Sequence, residues 1–188
     1  MPPNKRTFIA IKIPLNEALT HVIGVLKNTL QVSKINWIND NSSHVTLHFL
    51  GNTSLEHIET VKKIIAEVSQ NYLTTEIEIN GLGIFKHNGR PSVIWAGIKK
   101  CDSIISIQND LSEKLPEHGF TVERRAFKPH LTLGRIKNLA DTLPLINTVN
   151  AYKNYQFGTA HISCIHYYES LLKPEGPEYK VLSTFKLL

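Results

Sequence analysis

Two four-residue segments, His44-Val45-Thr46-Leu47 and His130-Leu131-Thr132-Leu133, repeat one pattern. In an extended chain, residues two apart point to the same face. His44 and Thr46 therefore share one face while Val45 and Leu47 pack on the other, and the same holds for His130 and Thr132 against Leu131 and Leu133. Imidazole titrates nearest neutral pH, so one neutral ring can take a proton while a protonated one gives it. A threonine hydroxyl can hydrogen-bond a non-bridging phosphoryl oxygen. If the two strands face each other across a cleft, two imidazoles and two hydroxyls surround one small group. That set suits phosphoryl transfer, with one His removing a proton from the attacking oxygen and the other protonating the leaving oxygen. The residues allow either His in either role. No metal is required, and the paired carboxylates of a two-metal site are absent nearby.

A single His-x-Thr on a strand is more often a hydrogen-bonded, partly exposed pair than a catalytic one. Two copies that agree at all four positions, each followed by a predicted helix, instead indicate an internal duplication. His48 has the parity of His44 and Thr46 and is a candidate substrate contact. A zinc set of His44, His48 and His130 lacks the compact ligand spacings that mark such sites. His161-Ile162-Ser163 is a degenerate match with no partner and is read as structural.

The surrounding pattern supplies elements to position these groups. Phe8 to Ile13 reads as a strand, and Leu15 to Leu30 as a helix with Leu19, Val22, Ile23, Leu26 and Leu30 on one face. Ser43 to Leu50 is a strand, and Thr53-x-x-Glu56 resembles a capping box opening a helix with Ile58, Val61, Ile64, Ile65 and Val68 inward. Glu76 to Phe85 and Ser92 to Ile98 form a hairpin through Lys86 to Pro91. Asp102 caps a helix with a stripe of Ile104, Ile105, Ile107, Leu111 and Leu115 that Pro116 stops. A strand over Pro129 to Arg135 follows, then a short helix over Leu139 to Val149 that Pro144 disfavours, and closing strands over Ala160 to Tyr168 and Tyr179 to Leu187. Paired hairpins favour an α+β fold of two mixed or antiparallel sheets with helices on their outer faces. The expectation is a single domain, residues 1–188, of two pseudo-symmetric lobes, each carrying one motif.

Composition agrees. A chain of 188 residues, 41% hydrophobic and 20% charged, can bury one substantial core. The net charge of +5 favours an anionic ligand. Cys101 and Cys164 are far apart and suggest neither a disulfide scaffold nor a thiolate metal cluster, which fits a reducing compartment. No secretion signal or apolar run of about 18 residues is present, so a cytoplasmic protein without a membrane span is expected. Arg124, Arg125 and Lys128 form a basic cluster suited to a nucleic-acid backbone. Phe8, Phe127, Tyr167, Tyr168, Trp37 and Trp95 could stack on a base but read mostly as core.

The tetrads, with Arg6 to Ile11, Phe49-Leu50-Gly51, Arg90 to Gly97, Arg124 to His130 and Tyr179 to Leu187, resemble the two-histidine phosphoesterase superfamily and its RNA 2′,3′-cyclic phosphodiesterases, formerly called 2′-5′ RNA ligases. The resemblance implies a bilobal fold with both motifs lining a central cleft. It implies metal-independent hydrolysis of RNA 2′,3′-cyclic phosphate ends to 2′-phosphates, with His44 as general acid, His130 as general base and no cofactor. The implied partners are RNA ends or oligonucleotides bearing a cyclic phosphate, met by a monomer. Arg135 resembles an Arg that contacts substrate phosphate. Parity in a flat strand would turn it the way of Leu131 and Leu133, unless a bulge or strand end at Gly134 reverses it. The alternatives are another bond, such as a 2′,5′-linked oligonucleotide, a cyclic nucleotide or the reverse ligation, and a module that binds an RNA end or nucleotide without turnover.

Overall fold

A computed structural model describes residues 4–122, 126–173 and 176–188. In chain order the elements are β1 (Lys5–Lys12), α1 (Glu17–Thr29), β2 (Lys34–Trp37), β3 (His44–Thr53), α2 (Leu55–Ser69), β4 (Thr75–His87), β5 (Arg90–Lys99), α3 (Asp102–Glu117), β6 (His130–Asn138), α4 (Thr142–Ala151), β7 (Gln156–Ile162), β8 (Cys164–Lys173) and β9 (Gly176–Lys186). Two antiparallel sheets result, one of order β3-β1-β8-β9 and one of order β2-β6-β5-β4-β7. Helices α2 and α3 pack against the first sheet, α1 and α4 against the second. The fold is α+β with antiparallel sheets.

Each helix is set by its apolar stripe. Leu19, Val22, Ile23 and Leu26 are buried on α1, and Ile58, Val61, Ile64, Ile65 and Val68 on α2, as helical spacing requires. Asn16 caps α1 by accepting the Leu19 N–H at 2.9 Å. On α2 the cap is Ser54, which accepts from His57 N–H, whereas Thr53 ends β3 with its hydroxyl 2.7 Å from that of Thr7. The capping box read at Thr53 is thus displaced by one residue. On α3, Cys101 holds the cap position without a side-chain bond, and Pro116 lies inside the last turn rather than beyond it. Asp141 caps α4, so Pro144 falls in the first turn, where its missing N–H has no intrahelical partner to lose. The β4–β5 hairpin turns on Asn88 and Gly89 alone, at φ 50° and 76°, the positive values of a two-residue turn that matches strand twist.

The lobes are not the two halves of the chain. The first sheet joins β1 and β3 to the C-terminal β8 and β9, so β4 to β7 are enclosed between its parts. The expected strand from Ala160 to Tyr168 is two strands, with β7 in the second sheet and β8 in the first. Ser163 is the crossing point, and its carbonyl accepts from Leu187 N–H at 2.9 Å. The apolar alternation runs through Ser163 without a turn residue, so periodicity gives no sign of the crossing. Strand β2 shows no signal either, being four residues long and nowhere fully buried.

Candidate active site

The tetrads open β3 and β6, one in each sheet, and these strands approach each other where the sheets meet. Between the sheets lies a cleft of about 1320 Å³ whose walls include His44, Thr46, Thr132 and Arg135. His130 stands two residues before Thr132 on the same strand face, close enough that its charge acts on His44.

Both strands carry the same irregularity. Along β3, Ala10 pairs with Thr46 and Ile9 with His48, leaving Leu47 as an extra residue. Along β6, Trp95 pairs with Thr132 and Ile94 with Gly134, leaving Leu133 extra. Each bulge sits directly after its His-x-Thr and reverses the alternation beyond it. Leu47 with His48, and Leu133 with Gly134, are therefore buried in succession, while Phe49 and Arg135 turn back to the cleft. The reversal anticipated at Gly134 is what the structure shows. A Cβ there would stand 2.9 Å from the Trp37 ring and 3.0 Å from Ile35 Cγ2, so β2 packs against β6 only because position 134 has no side chain.

The histidines are held alike. Nδ1 of His130 donates to the Lys128 carbonyl at 2.7 Å, and a ring N–H of His44 bonds the Ser42 carbonyl. In each case the acceptor lies two residues upstream. With Nδ1 protonated, neutral His130 keeps its Nε2 lone pair free to accept a proton. Burial pushes the His44 pKa down to about 4, with the positive charges of Arg135 and His130 adding to it against the Ser42 bond. His130 is lowered in the same way, first by burial and then by Arg135 and Lys128, against the Lys128 carbonyl bond. Without an anion in the cleft both rings are neutral at pH 7, and an entering phosphoryl group supplies the negative charge that lets one of them protonate. Aromatic rings wall each imidazole: Phe8 and Tyr179 stand 5.0 and 5.1 Å from His44, and Phe85 stands 4.8 Å from His130.

Residues 27–170 match the model of the 2′-5′ RNA ligase superfamily. The chain belongs to that superfamily. Its relatives include proteins named RNA 2′,3′-cyclic phosphodiesterase from Archaeoglobus fulgidus, 30% identical with 96% of this chain and 99% of that protein covered, and from Methanothermobacter thermautotrophicus, 26% identical with 97% and 98% covered. Among solved structures the fold is shared with a Thermus thermophilus protein, at TM-score 0.79, 23% identity and 97% of both chains. It is shared also with E. coli LigT complexed with 3′-AMP, at TM-score 0.78, 21% identity and 98% of both chains.

Several residues read from sequence lie elsewhere in this superfamily member. His48 is a correction. The bulge at Leu47 turns it away from the cleft, and it is 6% exposed under α3. There its Nε2 lies 3.2 Å from the Gln108 carbonyl and 3.0 Å from Ser112 Oγ. It cannot share a centre with His44 and His130, and burial lowers its pKa, which keeps it neutral. Replacing His48 with Leu removes a buried bond but leaves Gln108 and Ser112 paired to each other. The expected cost is about 1–2 kcal/mol, or roughly 2–8 °C in Tm, with kcat within about twofold of the parent. Circular dichroism melts beside initial rates check this.

Lys128 lies over the Trp95 ring at 4.5 Å, beside His130; Arg124 and Arg125 lie outside the described residues. Tyr167 and Phe127 belong to the core, Phe8 and Tyr168 are buried yet line the cleft, and Trp37 stands on its opposite wall. Sequence reading missed Phe49, Tyr179, Lys12 and His166, all on the cleft wall. Phe49 was hidden by the bulge, and the other three lie on strands without a repeated motif to mark them.

Proposed function

We propose that the protein hydrolyses RNA 2′,3′-cyclic phosphate ends to 2′-phosphates as a metal-independent phosphodiesterase. The observation that carries this reading is the pair of His-x-Thr segments, one from each sheet, placed at one cleft with each imidazole tied to a carbonyl two residues upstream. The names borne by the full-length relatives support the same substrate. His130 takes a proton from water as its oxygen bonds to phosphorus. The bond from phosphorus to the 3′ oxygen breaks, and His44 protonates that oxygen, leaving the phosphate on the 2′ position. Thr46, Thr132 and Arg135 hold the non-bridging oxygens as negative charge builds on them. The partner is an RNA end, met by a monomer with unpaired Cys101 and Cys164, as a reducing cytoplasm would leave them. Among the described residues no helix is long and apolar enough to cross a membrane.

An oligonucleotide ending in a 2′,3′-cyclic phosphate, incubated in EDTA, is expected to yield a 2′-phosphate end with a bell-shaped dependence of rate on pH. A 3′-phosphate product, or activity lost to chelator and restored by a divalent cation, would contradict the proposal.

A further inference from the structure

The first sheet brings a third imidazole to the cleft that neither tetrad supplies. His166, on β8, is half-buried in the cleft wall. Ala10 pairs with Thr46 on one side and with His166 on the other, so two strand spacings, about 10 Å, separate Thr46 from His166. Only the methyl group of Ala10 lies between them. The His166 ring stands edge-on to Tyr168 at 5.6 Å, and its Nδ1 is buried without a hydrogen-bond partner. A buried N–H lacking an acceptor is costly. The proton therefore sits on Nε2, leaving that edge of the ring as a donor toward the cleft.

Lys12 lies beside it. It pairs in register with His44 and is exposed on the cleft wall. Its charge nevertheless acts on His166, where it joins burial in lowering the pKa, whereas the cations acting on His44 are Arg135 and His130. The ammonium thus extends over Ala10 toward β8. A cation and a neutral N–H donor stand together, one strand beyond the reacting centre, with no task in the chemistry above.

We propose that Lys12 and His166 form a second anion subsite, which holds the phosphodiester one nucleotide upstream of the reacting cyclic phosphate and so distinguishes an RNA end from a single nucleotide. This rests on the proposed reading of the His44 and His130 site. The chain enters across Ala10, its last nucleotide spanning the two sites, with the terminal phosphate between the tetrads and the preceding linkage on Lys12 and His166.

The test measures binding and needs no turnover. Calorimetry at pH 7 compares a diribonucleotide ending in a 2′-phosphate with the same molecule whose internal linkage is an uncharged methylphosphonate. The parent protein is expected to bind the charged linkage about tenfold more tightly, the scale of one charge-assisted contact. Lys12→Met and His166→Phe, the latter keeping a ring against Tyr168, should together reduce that ratio to below about twofold while circular dichroism shows a folded protein. An unchanged ratio in the double variant, no preference in the parent, or failure of both dinucleotides to bind overturns the subsite. Absence of cyclic-phosphate turnover with the ratio intact and sensitive to the variants would instead overturn the proposed reaction and leave the subsite standing.

Discussion

Replacement of His44 or His130 by Ala is expected to lower kcat on a cyclic-phosphate oligonucleotide by about 10²- to 10⁴-fold, the usual contribution of a positioned acid or base. The double variant should fall little further, because the two groups act in one step. Both rings are half-buried on strand surfaces rather than in the core, so the folded state should survive, as thermal melts would show. The two roles separate on a substrate whose 3′ oxygen is replaced by sulfur. A thiolate departs without a proton, so the His44→Ala variant should regain most of the parent rate on it while the His130→Ala variant stays slow. Rescue of the His130 variant alone would exchange the roles, and undiminished activity in both variants would remove the imidazoles from the mechanism.

Arg135 gives the second large effect. Its guanidinium reaches the cleft because of the bulge at Leu133 and lies close enough to depress both imidazoles. Substitution by Ala should cost about 10- to 100-fold in kcat/KM, the scale of one or two charge-assisted hydrogen bonds to phosphate. It should also move the pH profile. Arg135 disfavours the protonated form of each ring, so without it both pKa values rise and the bell-shaped profile of kcat/KM shifts to higher pH. Lys at this position keeps the charge and should keep the parent profile while losing the planar, paired contact. A profile that stays in place in Arg135→Ala, measured from pH 4 to 9, would show that the charge does not act on the reacting pair.

The sequence by itself determined the chemistry of His44, Thr46, His130 and Thr132. Their common face depends on a period of two over three residues, and within each tetrad nothing interrupts it. It determined the helices too, because each stripe is a local property of its own segment. The tertiary structure decided what lies just past the tetrads. A bulge is created by pairing two strands out of step, so no single strand's alternation contains it, and that pairing sends Phe49 and Arg135 into the cleft and His48 under α3. Gly134 gave a local hint at one bulge, whereas His48 occupies the equivalent place at the other and gave none. Tertiary structure also decided which strands share a sheet. The break at Ser163 sends β8 back to β1, and that return, not any motif, places His166 across Ala10 from Thr46. Long-range pairing is chosen by the burial of whole faces, and a strand of either sheet carries the same apolar alternation.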